Sequence, residues 1–124
     1  MLGDRPIIAF VPTRDFAAAR AFYEGVLGLR FLAADGFALL FDANGVRLRI
    51  SKVPQFEPFP FTLLGWEVPD IAPTVEALAR RGVRCETFGF PGQDETGVWT
   101  APSGDRVAWF KDPDGNLLSV SQHA

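Results

Sequence analysis

A period-2 run from Ile7 to Thr13 opens the chain and predicts a strand. Asp15 follows as a helix N-cap. Apolar residues then recur at Phe16, Ala19, Phe22, Tyr23 and Val26, the spacing of one helical face. Gly28 stands where a helix-ending C′ glycine belongs. Three short strands are predicted next, Leu29–Ala34, Phe37–Phe41 and Val46–Ser51, joined by the hairpin dipeptides Asp35-Gly36 and Asn44-Gly45. The Pro-rich segment KVPQFEPFP interrupts the pattern and reads as a linker. The programme then restarts. Phe61–Val68 is a strand, Asp70 a cap, IAPTVEALARRG a helix closed by Gly82, and Val83–Thr87 a strand. After the loop GFPGQDETG come strands at Val98–Ala101 and Arg106–Lys111, a turn at Asp114-Gly115, and a strand at Leu117–Ser121.

The halves therefore read as strand–helix–strand–strand–strand written twice. This is an α+β chain of one domain, with module one at 1–52, a linker at 53–60 and module two at 61–124. Thr13-Arg14-Asp15 aligns with Val68-Pro69-Asp70, and Gly28-Leu29-Arg30 with Gly82-Val83-Arg84. The second module is longer because of residues 88–104.

Alternation sorts the strand side chains onto two faces. Val46, Leu48 and Ile50 form an apolar set that belongs against the helices, leaving Arg47, Arg49 and Ser51 on the other face. Leu118 and Val120 face the helices, with Leu117, Ser119 and Ser121 opposite. Leu64, Trp66 and Val68 are the buried set, with Leu63, Gly65 and Glu67 opposite. Ile8, Phe10 and Pro12 share the non-helix side. Phe37–Phe41 and Val107–Phe110 are apolar on both faces, so parity does not orient them; Trp66 and Trp109 are expected in the core.

Composition narrows the chemistry. The chain has 124 residues, 48% hydrophobic and 22% charged, which is globular rather than disordered. The net charge of −3 argues against nucleic-acid binding, which calls for a basic stripe. No apolar run is long enough to span a membrane, and MLGDRPIIAF shows no signal-peptide pattern. The single Cys85 forms no internal disulfide, which fits a cytoplasmic chain, and reads as an inert strand thiol. The single His123 sits at the end of the chain and reads as a free tail residue. Histidine-based triads and multi-histidine metal sites have almost nothing to use. DPDGN reads as a type I′ turn capped by Asp112 and Asp114 rather than as a catalytic motif.

PTRDFAAARAFYEGVLGLRF in the first half and FKDPDGNLLSVSQ at the end resemble the vicinal oxygen chelate superfamily of glyoxalases, extradiol dioxygenases and fosfomycin- and bleomycin-resistance proteins. The resemblance covers nearly the whole chain. It implies two tandem βαβββ modules whose mixed sheets curl into a cup, helices on the convex side and ligand on the concave side. In that family four strands each present a His or Glu to a metal. Carried over position by position, those ligands fall at Ile8, Arg49, Leu63 and Ser119. Two of these are aliphatic, one is a permanent cation and one is a neutral hydroxyl, so no metal and no cofactor are expected.

The expected cup presents Phe10, Arg47, Arg49, Glu67 and Ser119, with Trp99 just beyond the GFPGQDETG loop, which resembles the family's mobile closing segment. Arg49 suits a bidentate oxyanion and Trp99 a planar ring. Glu67 reads as a general base or as the partner of Arg47 or Arg49. Asp94 and Glu95 give the loop a negative charge that either keeps it solvated or meets a cationic ligand. FEPFPF suggests an exposed apolar strip, and together with the resemblance it points to a homodimer. Three readings stand: a metal-free small-molecule binder of the bleomycin-resistance kind, an enzyme of the same fold acting on a small oxygenated metabolite, and a non-catalytic interaction module. No catalytic residue is assigned.

Overall fold

A computed structural model describes residues 1–124. The chain divides into two compact units, Met1–Glu57 and Pro58–Ala124. Both are α+β, each built on one open, four-stranded mixed sheet.

In the first unit β1 (Ile8–Thr13) leads into α1 (Phe16–Arg20), which widens into a π-helical continuation, Ala21–Val26. β2 (Arg30–Ala34), β3 (Ala38–Ala43) and β4 (Val46–Lys52) complete the sheet in the order β1-β4-β3-β2, with β1 and β4 parallel. Asp15 caps α1, its Oδ1 accepting from the Ala17 and Ala18 amides at 3.0 and 3.2 Å. Gly28 ends the helical segment at φ 76°, with Leu29 N donating to Tyr23 O. Asn44 and Gly45 take φ 51° and 91°, the two positive values a two-residue type I′ turn requires. The face toward the helix holds the core: Val11, Leu48, Ile50 and Phe41 are buried, and Tyr23 packs against Phe41 at 6.3 Å. Val46, expected with that set, is 41% exposed at the start of its strand. The segment after β4 is tied back by Arg14, whose guanidinium lies 4.0 Å above the Phe56 ring and donates to Phe56 O.

In the second unit β5 (Leu64–Glu67) precedes α2 (Ile71–Arg80), followed by β6 (Trp99–Thr100), β7 (Arg106–Lys111) and β8 (Leu117–Gln122), ordered β5-β8-β7-β6. α2 buries Ile71, Val75 and Leu78, and the sheet's core set is Ala108, Phe110, Leu118 and Val120.

Four expectations change here. Val83–Thr87 is not a strand. Only Glu86 N reaches β7, donating to Trp109 O at 2.7 Å, because β6 already occupies that edge beside Arg106 and Val107. Asp70 makes no side-chain cap; Gln122 accepts from Ile71 N at 2.8 Å in its place. The DPDGN turn is type I rather than I′: Gly115 N donates to Asp112 O, and Pro113 cannot take the positive φ that I′ demands. Asp112 Oδ1 closes it, accepting from the Asp114 and Asn116 amides. His123 is tethered, its Nε2 2.9 Å from Glu67 Oε1, while Ala124 N donates to Asp105. No helix is long and apolar enough to cross a membrane.

Candidate functional site

The sheet face of the second unit turned away from α2 carries Gly65, Glu67, Ser119, Ser121, Val107 and Trp109, because strand partners in register point the same way. Ser119 lies directly beside Gly65 and is buried. A Cβ on Gly65 would stand 2.6 Å from the Ser119 Oγ, so the hydroxyl fills the space that the glycine leaves. Trp109 is the register partner of Ser119. It is half-buried on this face rather than in the core, because Ala108 and Phe110 take the helix side.

Around Trp109 the irregular segments assemble an aromatic wall. Phe88 and Phe90 meet its ring edge-on at 5.6 and 6.0 Å, and Trp99 lies 6.2 Å away. Phe59 and Phe61 stack on each other at 5.0 Å, and Thr62 Oγ1 accepts from the Trp109 indole N–H at 3.1 Å. Phe59, Phe61, Phe88, Phe90 and Trp109, together with Lys111 and Leu117, line an open groove of about 690 Å³, within the range of about 300–1,000 Å³ typical of small-molecule sites. Phe59, Phe61, Phe88 and Phe90 are 45–59% exposed. Isolated exposed rings are ordinary, but four lining one groove with Trp109 make an apolar patch.

Gln93 holds the Phe88–Phe90 wall in place. Its Nε2 donates to Glu86 O and Gly97 O, both at 3.0 Å, and its Oε1 accepts from Phe88 N and Gly89 N at 2.7 and 3.2 Å. Asp94 Oδ1 takes bonds from Thr96 N, Thr96 Oγ1 and Val98 N, and the Thr96 hydroxyl foremost holds its carboxyl below the ordinary range. Gly97 is required at φ 94°, since a Cβ there would lie 2.9 Å from the Cys85 Cβ. Burial pushes the Cys85 thiol up to about 11, so it is not a nucleophile. Lys111 pairs with Glu86 at 3.3 Å at the groove's edge.

The sequence-derived candidates divide between the units. In the first, Phe10 (60% exposed) and Arg49 are register partners on the face opposite the helix, with Arg47 beside Ile8 on the same face. Arg49 is engaged by Asp35 at 3.0 Å; the Phe37 and Ala38 amides lower the Asp35 carboxyl below its ordinary value, and Arg49 adds to the shift. In the second unit Trp99 joins the aromatic wall, Ser119 is the register partner of Trp109, and Glu67 is exposed and bonded to His123 rather than to an arginine. Sequence reasoning missed Phe88, Phe90 and Lys111, and read Phe59 and Phe61 only as part of an exposed apolar strip. The available signal was the pair of tripeptides Phe59-Pro60-Phe61 and Phe88-Gly89-Phe90, which set two rings two residues apart.

The residues at the four family ligand positions do not suit a metal. Ile8 and Leu63 offer no donor atom, and Arg49 is a cation already paired with Asp35. The Ser119 hydroxyl is packed over Gly65. No group of three or more His, Cys, Asp or Glu side chains is placed to hold a metal ion.

Comparison with known proteins adds a lineage to this geometry. The family model for the Glyoxalase/Bleomycin resistance protein/Dioxygenase superfamily matches residues 7–120. The uncharacterized protein YraH of Bacillus subtilis (strain 168) is 28% identical over 121 residues, covering 86% of this chain and 88% of its own. Among solved structures, a glyoxalase family protein from Enterococcus faecalis superposes with TM-score 0.73 at 20% identity, over 98% of this chain and 99% of that one. A virulence protein from Salmonella typhimurium superposes with TM-score 0.71 at 21% identity over the full length of both chains. At these identities the structural likeness concerns the fold alone.

Proposed function

The chain belongs to the glyoxalase/bleomycin resistance protein/dioxygenase superfamily, and on that premise we propose that it is a metal-free protein that binds a small, flat, largely apolar organic molecule. The aromatic groove of the second module carries the reading. Its walls are ring faces and edges, its one polar anchor on the sheet is the Trp109–Thr62 pair, and Lys111 stands at its edge to meet an oxygen substituent. Such walls favour a planar ligand, because ring stacking adds about 0.5–1.5 kcal/mol per pair beyond area burial. The residues at the family's ligand positions argue in the same direction, since none brings a strong metal donor. Trp99 backs the wall through its contacts with Phe90 and Trp109, and Ser119 is the strand neighbour of Trp109. Phe10, Arg47, Arg49 and Glu67 are not required for it.

The reading is tested by titrating the full chain with 2-naphthol and following tryptophan emission and amide NMR shifts. Saturable changes centred on Phe88, Phe90 and Trp109 are expected, with Phe90→Ala weakening the interaction several-fold. A chelator should leave binding unchanged, and the probe should be recovered chemically intact. Absence of saturation, or changes that ignore Phe90→Ala, would refute the groove. Loss of binding with chelator would refute its metal independence.

A further inference from the structure

A second groove lies on the first module and uses none of the aromatic wall. One row of side chains crosses its sheet: Arg30 stands beside Asp42, Asp42 beside Arg47, and Arg47 beside Ile8. Register partners share a face, so all four point to the side opposite the helix. With strands about 4.8 Å apart, the Arg30 and Arg47 backbones are about 10 Å apart with Asp42 between them. That separation lets two long guanidinium side chains converge on one group above the carboxylate. The sheet register shifts between Phe31 and Ala33, and Leu32, the residue at this bulge, also lines the groove. Ile7, Ile8 and Leu32 are 73%, 48% and 42% exposed and line the same groove of about 440 Å³.

The charge inventory of this row is unbalanced. Elsewhere on the chain Arg20, Arg49 and Arg80 each have an acidic partner, Glu24, Asp35 and Glu76. Arg30 and Arg47 form no ion pair. Asp42, the one carboxylate in the row, already accepts from Gly45 N at 3.0 Å through Oδ1, which commits it to the Asn44-Gly45 turn. Two cations therefore face one anion, and the surplus is a single positive charge beside an apolar wall.

We infer that this groove binds a small amphipathic carboxylate, its oxygens held between the Arg30 and Arg47 guanidinium groups and its hydrocarbon laid on Ile7, Ile8 and Leu32. Planar guanidinium forks match a carboxylate's two oxygens. The single surplus charge matches a monoanion; a phosphate dianion would stand against Asp42 with its second charge uncompensated. The site is independent of the aromatic groove and survives or fails without it.

The test is an amide NMR titration of the full chain with sodium hexanoate, run beside hexanamide and inorganic phosphate. Hexanoate should give saturable shifts within residues 6–8, 30–32 and 42–47. Arg30→Gln and Arg47→Gln should each weaken it about tenfold, the usual consequence of removing a charge-assisted hydrogen bond. Asp42→Asn, which keeps an oxygen for Gly45 N, should strengthen hexanoate binding by removing the competing charge. Hexanamide and phosphate should both bind more weakly. Equal binding of hexanamide would make the site merely apolar, and equal binding of phosphate would make it a general anion patch; either overturns the inference. So would shifts confined to residues 58–124, or arginine variants that fold normally and bind hexanoate as before.

Discussion

Removing the Gln93 amide should loosen the aromatic wall while leaving the sheet intact. Gln93→Ala deletes four hydrogen bonds at once. Each contributes about 0.5–1.5 kcal/mol net, so the four together span about 2–6 kcal/mol. The Phe88 and Gly89 amides lie at the exposed end of the network and regain water when the side chain goes. The Glu86 and Gly97 carbonyls are served at the part-buried end, and their loss sets the effect. The expected cost is therefore about 2 kcal/mol, roughly thirtyfold in the folding equilibrium. Urea unfolding followed by tryptophan emission measures it, because Trp99 and Trp109 both adjoin Phe90. Hydrogen exchange should show faster exchange at Phe88 and Gly89 before any change in β7 or β8. Gln93→Glu separates donors from acceptors. It keeps both acceptor bonds but turns a second carboxylate oxygen toward two carbonyls, so it should be at least as destabilising as alanine. A change under about 0.5 kcal/mol in both variants would show that Asp94 and the Gly97 turn hold the wall alone, and would refute the reasoning.

Two further outcomes follow from charge and burial. The Asp94 carboxyl lies below its ordinary 3.8, chiefly through the Thr96 hydroxyl. Its contribution is complete above that value and is lost as pH falls through the lowered folded value. In Asp94→Asn the fall in urea midpoint on acidification below 3.8 should shrink; an unchanged acid profile would contradict this assignment. Cys85, with its thiol pushed up to about 11 by burial, should react with a thiol-specific disulfide reagent at mildly alkaline pH much more slowly in the native state than in denaturant. Fast reaction in the native state would show an accessible thiolate.

The parts of the fold written in local signals were legible. Asp15, Gly28, Gly82 and Asn44-Gly45 act on neighbours within a few residues, and their caps and turns form as their residue types dictate. Alternation placed Leu48, Ile50, Leu118 and Val120 against the helices because those strands have one polar face. The failures arose where distant groups replace local ones. Gln122, 51 residues from Ile71, takes over the cap that Asp70 suggested. β6, folded back from residues 99–100, takes the β7 edge that a strand at 83–87 would have paired, and Gln93 takes Glu86 O. Trp109 was unreadable because its strand is apolar on both faces, and only the burial of Ala108 and Phe110 decides its side. The groove was hidden for a related reason: Phe59, Phe61, Phe88 and Phe90 lie on irregular segments, where no periodicity reports which way a ring points.

We propose that this member of the superfamily works without a metal. Elemental analysis of untagged protein, purified without chelator, tests that most directly; a histidine tag would supply ligands that the chain lacks. Zinc, nickel, manganese and iron are all expected far below one ion per chain. A content close to one of any of them would contradict the proposal and would place a coordination site outside Ile8, Arg49, Leu63 and Ser119.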